Sequence, residues 1–352
     1  MTFQLFWFCL IAVLWGGYFV LEGFDFGVSM LLPFVAKREQ DRGVLLESIG
    51  PFWDGNEVWL VVAGGATFAA FPVWYATMFS GFYLALLLIL VFLILRAVSF
   101  EWGNKSDSPR WRAFWVTANV VSSFGAPFLW GVALANLLDG VPLNPSGDYT
   151  GNLADLFSFY TVFTGLAVVV LFAFHGATFL TLRTTGELFE RVAQAARRLA
   201  IPAVVLVAGF AGWTVGLAID RNDKGLFPPV LPAVLAAFAL VLAAILVRRR
   251  RTGWSFAATA IGVLGTVATL FTSLYPRVMV SSPNFGNSLT VSNAASSHYA
   301  LATITVVALI LTPIVLLYQG WTYYVFRARI TGDEVEPPVK IATQRTGGTP
   351  TA

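Results

Sequence analysis

Four ionisable residues lie inside long apolar segments of this sequence, where an uncompensated charge is costly. They are Asp25 in the run GFDFG, Asp54 and Glu57 in WDGNEVW, and Arg96 in LILRAV. Glu22 precedes Asp25 by three residues and can join them. A charged side chain at the centre of a bilayer costs about 2.5–3.5 kcal/mol on insertion scales. Several such groups kept together therefore indicate a function, and the function that clustered acids suit best is proton transfer.

The acids form two pairs, and the members of each pair share one face of a helix. Glu22 and Asp25 are three residues apart, as are Asp54 and Glu57,. Two carboxyl groups at this spacing can share one proton, because both cannot easily be charged in a medium of low dielectric constant. Burial raises the pKa of a carboxyl group, and a nearby arginine lowers it. An acid beside Arg96 can therefore be set to exchange protons near neutral pH.

Each residue also has a purely structural interpretation. Asp54 could cap a helix N-terminus, Glu57 could be a structural carboxylate, and Arg96 could reach the lipid headgroups or neutralise Asp54. Neither capping nor reaching the headgroups works for Asp25 if it lies at mid-membrane depth. His175 is a further candidate, although a lone histidine in an apolar helix is more often a hydrogen-bonded core residue than a ligand.

Long uncharged apolar runs recur along almost the whole sequence and predict an all-α polytopic membrane protein. Of the 352 residues, 57% are hydrophobic and only 12% are charged, which is not the composition of a soluble domain,. The runs are also too long and continuous for β-barrel strands. We predict one integral-membrane domain over residues 1–329 and a polar, disordered cytoplasmic tail over 330–352. The nine predicted transmembrane helices span about residues 5–34, 52–72, 74–98, 112–138, 156–182, 199–219, 229–247, 254–275 and 299–326.

Basic residues divide unevenly between the alternate loops of this nine-helix arrangement. Of the 22 Lys and Arg residues, eighteen fall on one side with the tail, only Arg221, Lys224 and Arg277 fall on the other, and Arg96 lies within the third predicted helix. The positive-inside rule then places the N-terminus outside and the C-terminus in the cytoplasm. Asp25 lies about 14 Å from the inner end of the first helix, at mid-membrane. The acids thus form a candidate proton path that opens to the cytoplasm and stops partway across.

The sequence offers few ligands for a cofactor. It contains one cysteine, two histidines and four methionines. These numbers exclude an internal disulfide and leave no recognisable haem site or cysteine-based metal site. A Walker A motif and an HExxH motif are also absent. We therefore predict that the chain binds no cofactor directly and is an auxiliary membrane subunit or a carrier, not a self-contained redox enzyme.

Small residues on the first two predicted helices favour close packing between them. On the first helix Gly16 and Gly17 are adjacent and Gly23 and Gly27 stand one turn apart, and on the second helix Gly64 and Gly65 are adjacent. Glycine lets two helices approach at backbone distance. The pattern predicts that the first helix packs tightly on the second, which would bring Asp25 towards the Asp54 end of that helix.

Blocks spread along nearly the whole chain closely resemble subunit II of the cytochrome bd quinol oxidases. The longest and most specific block contains the WDGNEVWL run. The blocks are GFDFGVSMLLPF, GPFWDGNEVWLVVAGGATFAAFPVWYATMFSGFY, RWRAFW, GVALANLLDGVPLN, YTGN, HGATFLTLRTTGEL and NSLTVSNAASS. The resemblance implies a subunit of a terminal oxidase in the bacterial plasma membrane, which oxidises quinol, reduces oxygen to water and generates proton motive force.

The resemblance also implies partners, cofactors and a fold. A related, larger subunit I would carry the quinol site and all three haems, two of b type and one of d type. Subunit II would bind no haem, stabilise subunit I and contribute to the cytoplasmic proton path. A small single-helix subunit is common in the family. The implied fold is two four-helix bundles plus a peripheral helix.

Carried over residue by residue, the family's acids fall on Asp25 and Asp54, and its helix-three arginine falls on Arg96. Glu22 stands where some members have Asp, so the acid is kept, whereas His175 stands where some members have Gln. Two other functions stay open at this point. One is a proton-coupled secondary transporter, although the two halves of the sequence show no matching repeats. The other is a purely structural scaffold for subunit I.

Overall fold

The computed structural model describes residues 2–103, 105–106, 108–222 and 225–331, so the predicted tail lies outside the described residues from residue 332 onwards. The described residues form eleven α-helices and one short antiparallel β-hairpin. The elements are α1 (Phe3–Val35), α2 (Glu39–Ile49), α3 (Trp53–Ala70), α4 (Pro72–Gly81), α5 (Tyr83–Trp102), α6 (Pro109–Asp139), α7 (Phe159–Arg183), α8 (Gly186–Asn222), α9 (Val230–Arg248), α10 (Thr252–Leu274), β1 (Arg277–Met279), β2 (Leu289–Thr290) and α11 (His298–Val325). The all-α class predicted from composition is confirmed.

Eight of the described helices are long and apolar enough to cross a membrane, namely α1 and α5 to α11. The helix α3 has only 18 residues, and its first turns carry Asp54, Asn56 and Glu57, which lower its hydropathy. It is the second predicted span. The nine-helix count therefore stays a prediction that depends on α3.

The third predicted span, residues 74–98, is divided between two helices. Pro72 occupies the first turn of α4, where its missing N–H is tolerated, and α4 ends at Gly81,. Phe82 closes α4 and precedes α5. Glycine weakens a helix at this point, and periodicity alone does not reveal such a break. The sequence interpretation also did not include α2, a polar helix of 11 residues between α1 and α3.

The helix α1 lies at the centre of the fold and packs against α3, α6, α7 and α10. Its closest approach is to α7. A Cβ atom added to Gly27 would lie 2.0 Å from the carbonyl oxygen of Phe172 and 2.8 Å from Cα of Gly176. No atom lies within 4 Å of a Cβ added to Gly64 or Gly65. The prediction that the first helix packs on the second is confirmed, because α1 contacts α3 and a Cβ added to Gly17 would meet the ring of Trp59. Gly27, however, meets a glycine on α7, and Gly64 and Gly65 take no part in the packing.

Replacing Gly27 by alanine is expected to destabilise the protein, because two backbones occupy the space that the new methyl group needs. Overpacking of this kind costs about 1–3 kcal/mol. Gly64→Ala is the matched control, since its methyl group meets open space, and we expect a change within about 0.5 kcal/mol. The thermal midpoint of the purified protein in detergent measures both. Equal midpoints for the two variants would contradict this account of the α1–α7 crossing.

Asp41 holds the polar helix α2 against the rest of the fold. Its Oδ2 accepts hydrogen bonds from the backbone N–H of Lys37 and Arg38, each at 3.0 Å, and from Nη2 of Arg191 on α8 at 2.7 Å. Burial acts to raise the pKa of Asp41, but these N–H groups and guanidinium groups outweigh it and hold the pKa below its ordinary value,. The group therefore stays charged and joins the end of α1 to α8.

The helix α11 lies at the rim of the fold, and among its described residues Leu301 alone is buried. Hydrogen bonds to the backbone hold its C-terminal end in place. Arg183 at the end of α7 donates to the carbonyl oxygens of Phe326 and Ala328, and the N–H of Ile330 donates to the Arg183 carbonyl oxygen over 2.8 Å. This attachment fixes the position of α11 beside α1 and α3.

Candidate functional site

Three of the predicted residues meet in the interior of the fold. Glu22 and Asp25 on α1 and Arg96 on α5 are each 0% exposed. Oε1 of Glu22 and Nη1 of Arg96 form an ion pair. A buried pair of this kind is costly to desolvate, and removing one partner leaves an uncompensated charge. The site is therefore organised around a fixed charge pair on α1 and α5, with Asp25 one turn away.

Arg96 does not follow either structural interpretation of it. Its guanidinium carbon lies over the rings of Phe26 and Phe100, at 4.6 and 5.1 Å from the ring centroids,. Within the described residues its Nε and Nη2 make no hydrogen bond. The expectations that it reaches the headgroups or neutralises Asp54 are wrong. The reason is that α5 continues to Trp102, so Arg96 lies more than one turn inside the helix.

Asp25 is held by a residue that the sequence interpretation missed. Nδ2 of Asn56 on α3 donates to Oδ2 of Asp25 over 2.7 Å, and Asn56 is 0% exposed. Asn56 stands two residues after Asp54, about 200° around the helix, so it faces inward while Asp54 faces outward. Asn56 belongs to the WDGN run, but its side chain is neutral and so, unlike its acidic neighbours, it does not stand out in an apolar segment.

The two acids of α3 lie at different depths. Asp54 is exposed and Glu57 is half-buried. Glu57 lies within electrostatic range of both Arg96 and Asp54. The N-cap residue of α3 is Phe52, and no side chain caps this end, so the interpretation of Asp54 as a cap is wrong. Glu57 therefore lies beside the buried cluster of Glu22, Asp25 and Arg96, and Asp54 lies at the edge of that cluster.

A stripe of buried polar groups runs along one face of α1. Tyr18, Glu22, Asp25 and Ser29 stand at intervals of four, three and four residues, and all four are 0% exposed,. The hydroxyl groups of Tyr18 and Ser29 make no hydrogen bond within the described residues. The helical spacing could have revealed both residues in the sequence. The stripe extends over about 16 Å of helix, about half the thickness of a bilayer core.

His175 lies apart from this stripe. Its Nδ1 pairs with the hydroxyl of Thr259 over 2.7 Å, and its Nε2 pairs with the Val20 carbonyl oxygen over 3.0 Å. Its ring stacks on Phe256 at a centroid distance of 4.8 Å. Val20 is two residues from Glu22 and so faces the opposite side of α1. The contacts therefore agree with the structural interpretation of His175.

Comparison with known proteins now identifies the family. A family model described as cytochrome bd terminal oxidase subunit II matches residues 3–326. The chain belongs to this family. It is 41% identical over 328 residues to cytochrome bd ubiquinol oxidase subunit 2 of Bacillus subtilis, covering 93% of this chain and 97% of that protein. It is 35% identical over 362 residues to cytochrome bd-I ubiquinol oxidase subunit 2 of Escherichia coli K12, covering 94% and 96%.

A solved structure has the same fold. A chain of the bd oxidase from Geobacillus thermodenitrificans matches with a TM-score of 0.71 at 18% sequence identity, covering 93% of this chain and 99% of that chain. At this identity the match supports the fold alone. The family model and the sequence relatives establish that the chain belongs to the family. This membership favours an oxidase subunit over a secondary transporter.

As a cytochrome bd subunit II, the chain is a multi-pass protein of the bacterial plasma membrane and a component of a quinol:oxygen oxidoreductase complex. Its partner is subunit I, and the complex contains haem. Neither histidine of the described residues offers a buried ring nitrogen that is free to bind a haem iron as an axial ligand. Both ring nitrogens of His175 are engaged, and His298 is exposed at the start of α11. Within the described residues no group of three or more metal-ligating side chains occurs.

Proposed function

We propose that this chain is a haem-free subunit II of a quinol oxidase that supplies subunit I with protons from the cytoplasm. In the proposed complex, subunit I carries the quinol site, two b-type haems and one haem d. Quinol oxidation and oxygen reduction to water then generate proton motive force. The observation that carries the proposal is the meeting of Glu22, Asp25 and Arg96 in the interior, with Glu57 beside them.

The proposed path begins at Asp54, because this is the exposed acid of the group. Glu57 follows one turn along α3 and is half-buried. Glu22 and Asp25 are fully buried on α1 and form the inner end. Exposure falls in the order in which protons would pass, and each step joins groups that can hold a proton.

Arg96 makes the inner end able to hold a variable number of protons. The guanidinium group of Arg96 interacts electrostatically with Glu22, Asp25 and Glu57. Three carboxyl groups around one cation form a site where a proton is shared between neighbours. Such a site can receive a proton from the cytoplasmic side before it passes one on to subunit I.

We further propose the orientation with nine transmembrane helices, the N-terminus outside and the C-terminus in the cytoplasm. α3 is then the short second span, and α11 is the helix beside two four-helix bundles. The low burial of α11 and the uneven division of basic residues support this layout,. A small single-helix subunit completes the proposed complex.

The outward face of α3 is our candidate for contact with subunit I. Its exposed residues beyond the first turn are Val58, Val61, Val62, Gly65 and Phe68, and Asp54 at the start of α3 stays outside the contact and open to water. This apolar face lies directly beside the buried acids, and a glycine on it lets another helix approach closely. Burying this face against subunit I would stabilise that subunit.

Asp54→Asn tests the path at its entrance. The amide keeps the shape of the side chain but cannot carry a proton. We expect oxygen reduction per haem to fall by about tenfold, less than the 10²–10⁴ of a fully enclosed acid, because water at this exposed position partly replaces the carboxyl group. Oxygen consumption by the purified complex measures turnover, and the reduced-minus-oxidised absorption spectrum measures assembly.

Glu101→Gln is the matched control, since Glu101 is an exposed acid near the end of α5. It removes one charge without touching the proposed path, and turnover should stay at the wild-type level. Wild-type turnover in a fully assembled Asp54→Asn oxidase would mean that Asp54 is not an obligatory proton donor. An equal loss in both variants would assign the effect to surface charge.

A further inference from the structure

Asn56 links the buried acid Asp25 to the rim helix α11 by a chain of hydrogen bonds. Its Nδ2 donates to Oδ2 of Asp25 over 2.7 Å and, at the longer distance of 3.4 Å, to the carbonyl oxygen of Leu21. Its Oδ1 accepts from the hydroxyl of Tyr323 over 2.7 Å and from Nε2 of Gln319 over 3.0 Å. The side chain of Asn56 is completely buried. A helix that otherwise contributes little to the core therefore contacts the residue that holds Asp25.

The indole N–H of Trp59 sets the direction of these hydrogen bonds, because it can only donate. Nε1 of Trp59 donates to Oε1 of Gln319 over 2.8 Å,. The oxygen of the Gln319 amide must therefore face Trp59, and its NH₂ group must face Asn56. Asn56 accepts at its oxygen from both Gln319 and Tyr323, so its own NH₂ group must face Asp25. The indole of Trp59 thus orients the Gln319 amide, and Gln319, Tyr323 and the Leu21 carbonyl oxygen together orient the Asn56 amide.

This orientation makes the two oxygens of Asp25 unequal. Oδ2 always faces a donor, whereas Oδ1 makes no hydrogen bond within the described residues. A donated hydrogen bond stabilises a carboxylate relative to the protonated acid. If Asn56 turned its amide over, its oxygen would face Asp25 and would favour the protonated acid instead.

We infer that Gln319 and Tyr323 are positioning residues that hold the Asn56 amide towards Asp25 and thereby set how readily Asp25 takes up and releases its proton. This inference rests on the proposed proton path. When Asp25 takes up a proton, the O–H bond of the donor, Glu57 or a water molecule, breaks and an O–H bond forms at Oδ1. When Asp25 passes the proton on, the bond at Oδ1 breaks and a new one forms at the acceptor. Oδ2 keeps its bond to Asn56 in both states, and no electron moves in either step.

Other charged and titratable groups also face Asp25. They are Glu22 on its own helix, Glu57 on α3, Arg96 on α5 and Tyr323 on α11. The test must therefore change the orientation of Asn56 without changing any of the charges around Asp25. Removing the hydroxyl of Tyr323 and the amide of Gln319 meets this condition, because both side chains are neutral.

The hydroxyl of Tyr323 can be removed without disturbing its packing. The ring of Tyr323 stacks on Phe52 with centroids 4.4 Å apart and planes 4° apart. Phenylalanine keeps this stacking, so Tyr323→Phe is a mild change. Tyr323→Phe combined with Gln319→Met removes both donors to Asn56. Tyr324→Phe is the matched control, since it deletes the hydroxyl of the next tyrosine, which is 63% exposed.

The measurement is the pH profile of oxygen reduction by the purified complex, with haem content as the check on assembly. In the double variant, Asp25 holds its proton more tightly, so the alkaline limb of the profile should move to higher pH by about one unit, a tenfold change in proton affinity. Tyr323→Phe alone should move it in the same direction by a smaller amount. Tyr324→Phe should leave the profile in place.

An unchanged profile in the assembled double variant would overturn the inference, as would an equal shift in Tyr324→Phe. Loss of assembly in both Tyr323→Phe and the double variant would also overturn it, because the network would then be only a structural clamp for α11. Asp25→Asn separates this inference from the proposed path. If Asp25→Asn abolishes turnover while the double variant keeps the wild-type profile, the path stands and the positioning role fails. If Asp25→Asn keeps full turnover, the path itself fails.

Discussion

Replacing Arg96 by glutamine is expected to remove most of the assembled oxidase from the membrane. Arg96 is 0% exposed and is the ion-pair partner of Glu22, which is equally buried. The variant leaves the carboxylate of Glu22 without a counter-charge in the interior. Breaking a buried pair in this way costs about 3–5 kcal/mol, a large part of the stability of an ordinary domain. The haem d absorbance of the membranes, relative to the amount of tagged chain, measures the loss.

The double variant Arg96→Gln/Glu22→Gln is the control that isolates the charge. It removes both members of the pair, so no uncompensated charge stays buried, and the stability should fall less than in the single variant. We expect assembly to recover in the double variant while turnover stays low, because an acid of the proposed path is gone. Arg110→Gln, at an exposed position in the first turn of α6, should assemble normally. Normal assembly of the single Arg96→Gln variant would contradict the importance of the pair.

The identity of the buried acids could be predicted from the sequence, but their pairing could not. The depth of Asp25 in the first helix and its spacing from Glu22 follow from the helical period. Which acid meets Arg96 depends on the rotation of α5 about its axis and on where α5 ends. The sequence predicts that this helix ends near residue 98, whereas α5 continues to Trp102 and is rotated so that Arg96 is fully buried.

Asn56 shows a second limit of the sequence interpretation. A neutral amide between two acids carries no charge to mark it as unusual in an apolar segment. The helical wheel of α3 does separate it from Asp54, but only the structure shows which of these faces meets α1. The same limit applies to the glycines, since Gly27 could have met any of the helices around α1 and in fact meets Gly176 of α7. Small residues reveal that a close contact exists but do not identify the partner helix.

Asp25→Asn is expected to give an assembled oxidase that reduces oxygen at least about a hundredfold more slowly. A positioned proton carrier contributes about 10²–10⁴ to the rate of the step that it serves, and at this depth an amide has no exposed water route to replace it. The new amide has nearly the shape of the acid and can present its oxygen to Nδ2 of Asn56, so the hydrogen bond of 2.7 Å has a substitute. Haem content should therefore stay near the wild-type level while oxygen consumption per haem falls.

The comparison of Asp25→Asn with Arg96→Gln distinguishes a proton path from a scaffold. A subunit that only supports subunit I would lose assembly in Arg96→Gln but would keep full turnover in Asp25→Asn, because the amide preserves the packing. A subunit that carries protons loses assembly in the first variant and turnover in the second. Asp148→Asn, in the exposed loop between α6 and α7, makes the same chemical change away from the path and should affect neither quantity. Full turnover in assembled Asp25→Asn would leave the charge pair as the structural centre of the subunit and would remove Asp25 from the path.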